Sequence, residues 1–226
     1  VVRIHLEDVY DLGGQFFLWE MAVAIAGERI GIQPFNQPNV EAAKVLARHM
    51  IAAYQEEGRL PMQASALESD GITVYGDIKN AGSPGEALNA FLEGAQAGAY
   101  IALQAYVTPN AETGNALQAL RARLRERTCR ATTLGYGPRF LHSTGQLHKG
   151  DAGRGLFIQF TSDAAEDADI PDEAGKPDSA MSFNVLKLAQ AMGDRQALLD
   201  AKRQVIRFHL GRDVVGGLKR LTESIS

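Results

Sequence analysis

Residues 100–136 read YIALQAYVTPNAETGNALQALRARLRERTCRATTLGY, and this stretch decides the fold. Residues 100–107 read as a strand. Residues 111–127 read as a helix carrying Leu117, Leu120 and Leu124, and residues 130–136 as a second strand. Working outward, the same alternation predicts strands at 72–76, 156–161 and 204–210, and helices at about 85–97, 181–202 and 213–223. Strands alternating with helices argue for an α/β fold, a three-layer arrangement in which a mostly parallel sheet is flanked by helices. Residues 163–179 are acidic and rich in Pro and Gly, and read as a mobile surface loop.

The first sixty residues follow a weaker version of the pattern, expected as strand, helix, strand, helix. Val2, Ile4 and Leu6 alternate with Arg3 and His5, and Gly13-Gly14 is expected to break the chain. Residues 15–27 are apolar on nearly every side, which predicts a helix buried on more than one face. Residues 31–35 read as a short extended piece closed by Pro34, and Asn39 as the N-cap of a long helix ending near Gly58. Residues 61–71, polar and ending in Asp-Gly, are the expected linker. The predicted organisation is therefore a βαβα portion at 1–60, a linker at 61–71 and a second α/β unit at 72–226. Val1 opens in mid-strand, so a cut end inside a longer protein is expected.

Composition narrows the function classes. The 226 residues include 23 Lys and Arg against 27 Asp and Glu, a net charge of -4, where a nucleic-acid binder would show a basic excess. Cys129 is the only cysteine, which excludes an internal disulfide and points to a reducing, cytoplasmic setting. No apolar stretch approaches the roughly 18 residues of a membrane span. No metal and no cofactor are expected. Gly135-Tyr136-Gly137 lacks the third glycine of a dinucleotide fingerprint. His142 and His148, six apart, would not share a helix face as a metal pair does. The arginines at 121, 123, 125 and 127 read as a solvated helix face.

Two features stand out. On the helix after Asn39, the residues Val40, Ala47, Ile51 and Tyr54 form an apolar stripe, and Lys44 is placed within it. A lysine there either carries its ammonium past the stripe to water or sits at a buried polar site, ready for an oxygen or phosphate of a ligand. The run His142-Ser143-Thr144-Gly145-Gln146, with Arg139, His148 and Lys149 close by, follows a strand. It reads either as a phosphate or sugar site or as a turned segment whose polar side chains tie down its own backbone.

The stretches Leu12-Gly13-Gly14-Gln15-Phe16-Phe17-Leu18-Trp19-Glu20 and Gly31-Ile32-Gln33-Pro34-Phe35-Asn36-Gln37-Pro38-Asn39-Val40-Glu41-Ala42-Ala43-Lys44 resemble the end of the second sugar-isomerase domain of glucose-6-phosphate isomerases. That family places a lysine seven residues after a glutamine, the spacing of Gln37 and Lys44, and Asn36 replaces its usual aspartate. The run from Thr132 to Gly150 looks like the C-terminal extension of bacterial proteins that fuse a transaldolase to the isomerase. Asp151-Ala152 departs from that pattern. Together the two motifs extend the resemblance over most of the chain.

The resemblance implies an aldose-ketose isomerase of carbohydrate metabolism, serving glycolysis, gluconeogenesis and the pentose phosphate pathway. Such an enzyme interconverts glucose 6-phosphate and fructose 6-phosphate through an enediol. It assigns Lys44 to the sugar ring oxygen and Gln37 to substrate contact. The family's base glutamate, ring-opening histidine and phosphate loop come earlier in its chain, so this piece is expected to be inactive alone. Arg139, His142, Ser143, Thr144, Gln146, His148 and Lys149 are the further candidates for substrate binding. The expected partners are a sugar phosphate, the remainder of the parent polypeptide and a second copy of the chain. The alternative is a non-catalytic module that binds a sugar phosphate or mediates oligomerisation.

Overall fold

The computed structural model describes residues 3–226 apart from Met62 and Lys79. The chain divides into two compact units, Val1–Pro38 and Asn39–Ser226. The first is built on one helix, α1 (Asp11–Ile30), ended by Gly31 in the left-handed conformation, φ 75°. Gly13 and Gly14 lie inside it rather than breaking the chain. Gly27 is its one buried residue, and Phe16, Phe17 and Trp19 stand exposed, so the expected burial on several faces is not found.

The two strands expected in residues 1–60 do not form. Residues 3–6 are irregular and residues 31–35 are turn and coil, while Val2 lies outside the described residues. Alternation produces a strand only where a neighbouring strand satisfies its backbone N–H and C=O groups, and the described residues before Leu67 offer no such neighbour. The second helix, α2 (Pro38–Glu57), forms, but it begins at Pro38, whose fixed φ suits a first helical position, so Asn39 lies inside the first turn rather than capping it.

The linker assignment also needs correction. Its last residues form β1 (Leu67–Ser69), paired antiparallel with β2 (Ile72–Tyr75). The turn is Asp70-Gly71, both with positive φ (54° and 71°), the two-residue hairpin that Asp-Gly favours. Beyond it the alternation is observed as α3 (Pro84–Glu93), β3 (Tyr100–Tyr106), α4 (Ala111–Thr128) and β4 (Thr132–Tyr136). A single 3-10 turn (Arg139–Leu141), α5 (Ser143–Gly150), β5 (Gly155–Thr161) and a small β6/β7 ladder (Asp169–Ile170 with Met181–Ser182) follow. The chain closes with α6 (Phe183–Asp200), β8 (Gln204–His209) and α7 (Val214–Glu223).

The six-stranded sheet runs β1-β2-β8-β5-β3-β4, with β8, β5, β3 and β4 mutually parallel and the β1-β2 hairpin antiparallel at one edge. One face is apolar over its centre. Ile101, Leu103, Ile158, Phe160, Ile206 and Phe208 meet α3, α4 and α7 there. Leu117, Leu120 and Leu124 are fully buried against it, each contributing roughly 1.5–3 kcal/mol by area removed from water. The other face packs on α5 and α6 through smaller clusters, Ala102, Phe157, Val205 and Leu198 in one and Tyr106, Phe140 and Ala191 in another.

Helix α2 lies outside α6, where Ala43 packs with Leu141 and Ala197. The crossing depends on Gly193 of α6, since a Cβ there would fall 2.6 Å from the Ala47 backbone nitrogen. Gly193→Ala is therefore expected to lower stability by about 1–3 kcal/mol, although an alanine inside a helix ordinarily raises it. Calorimetric melting of the variant checks this, and an unchanged or higher melting temperature would show that the two helices separate freely.

Candidate functional site

The sheet face under α5 and α6 becomes polar toward the carboxyl ends of the parallel strands. Register places Gln104, Gln159, Arg207 and Tyr75 in one row across β3, β5, β8 and β2. The next row holds Tyr106, Thr161, His209 and Thr73. Central parallel strands are ordinarily apolar on both faces, so each of these polar groups needs a partner. Gln159 Nε2 donates to the Ala191 carbonyl at 3.2 Å, and Gln104 Nε2 lies 3.3 Å from His148 Nδ1. Thr161 Oγ1 lies 3.1 Å from His209 Nδ1, and Asp163 is 3.3 Å from the other nitrogen of that ring.

Beneath the first row sits an ion pair closed to solvent. Lys149 Nζ on α5 is 2.5 Å from Asp194 Oδ1 on α6, with side-chain exposures of 1% and 0%. Burial raises the Asp194 carboxyl above its ordinary range, and Lys149 opposes that shift. The Tyr106 hydroxyl faces the same carboxylate without reaching hydrogen-bond geometry. His148 stacks against Phe140 and meets Phe157 edge-on. Burial pushes its imidazole down to about 4, helped by the neighbouring Lys149 charge, so the ring is neutral at physiological pH.

Gln37 belongs to the first unit and Lys44 to the second. Lys44 is half-buried on the border of the packed stripe, whose buried members are Val40, Ala43 and Ala47. The run after β4 is a helix rather than a loop, and its two faces separate the expected binding residues. Arg139, His142, Ser143 and Thr144 face solvent, with His142 at the N-cap of α5. Gln146, His148 and Lys149 turn inward. Gln146 Oε1 accepts the Asn39 N–H of the first turn of α2 at 2.9 Å, a fastening between helices. Gly145 allows this packing, because a Cβ there would collide with the Phe140 carbonyl oxygen.

A separate cavity of 380 Å³ opens beyond the carboxyl ends of β3 and β5, lined by Thr108, Asn110, Ser162, Arg212 and Asp213 among others. The helices that follow β3 and β5, α4 and α6, cover opposite faces of the sheet. This is the place where open α/β sheets receive ligands. The first turns of α4 and α7 open on it, capped by Asn110 and Asp213.

No protein-family profile matches the chain. Glucose-6-phosphate isomerase of Lactiplantibacillus plantarum is 54% identical over 44 residues, 20% of this chain and 10% of that protein. The isomerase of Leuconostoc mesenteroides is 36% identical over 61 residues, and that of Enterococcus faecalis 40% over 58, each covering 26% of this chain. These local matches support a relationship to glucose-6-phosphate isomerase. The chain spans only 10% to 14% of the length of these three relatives, and each match covers 20% to 26% of the chain rather than most of it. A hypothetical protein from Thermus thermophilus shares the fold, with a TM-score of 0.51 and 15% identity over 63% of this chain and 38% of its own. The mixed α/β architecture with a mostly parallel sheet is thus shared with a solved structure.

The site residues expected from the sequence do not include Gln104, Gln159, Asp194, Arg195, Arg207 or His209. A signal for three of them is present in the strands. Gln104 and Gln159 each occupy the fifth position of a strand whose first four residues carry no charged or amide side chain, and Arg207 interrupts the run Val205-Ile206-Arg207-Phe208.

Proposed function

We propose that this chain is part of a glucose-6-phosphate isomerase polypeptide, of the kind fused to a transaldolase, acting in the cytoplasm on glucose 6-phosphate and fructose 6-phosphate. The observation that carries the reading is the local similarity to three isomerases at 36% to 54% identity. The spacing of Gln37 and Lys44 agrees with it. Isomerisation needs a carboxylate base at C2, a cation for the developing oxyanion, and acid/base help at the ring oxygen. Lys44 suits the last role: it is half-buried on α2 beside the buried positions Val40, Ala43 and Ala47, with a side chain long enough to carry its ammonium to a ligand oxygen. The carboxylate base comes from the remainder of the polypeptide, and the chain alone is inactive.

The test is the Lys44→Ala variant of the parent polypeptide. Loss of general acid/base help predicts a fall in turnover of about 10²–10⁴-fold, with the melting temperature unchanged. Unaltered turnover would remove Lys44 from the mechanism.

A second reading, a non-catalytic module in residues 72–226 that takes a sugar phosphate, is favoured by the polar sheet face and by the apolar core on its other side, whose buried residues run from Ile72 to Ile225.

A further inference from the structure

Arg207 is 7% exposed on β8, and Arg195 projects from α6 beside it. A buried guanidinium normally sits against a carboxylate, because removing its charge from water without a partner costs several kcal/mol. Here neither arginine has one. Among the described residues no carboxylate forms an ion pair with either, and the Nε of each is buried without an acceptor. The Arg207 guanidinium carbon lies 3.8 Å from the centroid of the Tyr75 ring. The Tyr75 ring covers one side of the group and helps to hold its charge, but it supplies no counter-charge of its own.

The surroundings supply no counter-charge. His209 is the next residue on the same face of β8, held below the ordinary imidazole value by burial, and the nearby carboxylate of Asp163 is engaged with its ring at 3.3 Å. Burial is the main reason Arg207 is pushed down to about 10, with Tyr75 opposing the shift and the neighbouring Arg195 charge adding to it. Access is available, since Tyr75, Thr73 and Arg195 are each partly exposed along the β2 side of α6.

We propose that Arg195 and Arg207 form an anion site that takes the phosphate group of a phosphate monoester, held by the two guanidinium groups. A tetrahedral dianion offers several acceptor oxygens to such paired forks and cancels the charge that the fold leaves unbalanced. The proposal deepens the second reading above and rests on it: it names where in residues 72–226 the phosphate is held.

The test is calorimetric titration of the full chain with inorganic phosphate, with glucose 6-phosphate and with glucose, at matched ionic strength in chloride. Both phosphates are expected to bind and glucose alone is not. Arg195→Gln, at a partly exposed position, is expected to weaken both phosphates at least tenfold. In phosphate-free buffer its melting temperature should equal or exceed the wild type, since a like charge has been removed. Arg207→Met should weaken binding in the same way. Phosphate binding that both variants retain in full would overturn this site while leaving the module reading in place. The absence of any phosphate binding to the wild type would overturn both. Binding of glucose as tight as that of its phosphate would place recognition on the sugar and overturn the anion site.

Discussion

Lys149→Met is expected to cost about 3–5 kcal/mol of folding stability at neutral pH, the usual penalty for stranding one member of a buried ion pair. The pair has no access to water, so Asp194 cannot recover by hydration. Its second oxygen, Oδ2, already lacks a partner. The pH dependence has a definite sign. Burial raises the Asp194 carboxyl, and Lys149 is the largest influence holding it down. Without that lysine the folded-state value climbs further above the unfolded one. The folded variant then holds a proton that the unfolded chain has released. Stability contributed by such a group is present below the unfolded value and is lost as pH rises through the folded one. Urea unfolding should therefore show a smaller deficit at pH 5 than at pH 8. A deficit that grew toward acid would contradict the assignment. Adding Asp194→Leu to the variant should restore most of the loss, because a well-packed apolar pair in place of a buried ion pair is often neutral or stabilising.

Phe157→Ala is expected to cost about 3–5 kcal/mol as well, through lost transfer energy and the cavity left under α6. Phe157 is fully buried, edge-on to Tyr100 with ring centroids 6.1 Å apart and to His148 at 5.0 Å. The second consequence is electrostatic. His148 is held near 4 chiefly by burial. In the intact protein, acidification below the ordinary histidine value protonates the unfolded chain first, so stability falls until the folded ring also takes up its proton. Opening space beside the ring admits water and moves its titration back toward the ordinary value. Following the imidazole resonance of His148 by NMR against pH measures this directly. A midpoint still near 4 in the variant would show that Phe157 is not what keeps the ring dry.

Legibility varies along the chain for physical reasons. Helices α4 and α7 are readable to within a residue of their observed ends, because capping residues and apolar period both mark them. Strands β3 and β5 are equally clear, since continuous apolar runs of that length have few other uses. Residues 61–71 mislead: β1 has three residues, too few for a period to register, and it exists because β2 lies alongside. The run after β4 misleads differently. Its polar side chains suggest a turned segment, yet it is a helix with two faces, so that His142 at its cap, Ser143 and Thr144 are exposed while His148 and Lys149 are buried. Residues that sit side by side in the sequence therefore do not converge on one site.

The sequence alone determined the α/β class, the order of the main strands and helices after Gly71 apart from α5 and the β6/β7 ladder, the resemblance carried by Gln37 and Lys44, and the absence of any basic excess. Those properties are local or additive: period, capping, spacing and charge can be read without knowing what lies alongside. Only the tertiary structure decided that Lys149 neutralises Asp194, that Gln146 fastens α2, and that Arg195 and Arg207 stand together without a counter-charge. These are consequences of burial and of contacts between residues up to 107 positions apart. The energy of a charge depends on what surrounds it, and that is set by how the elements pack.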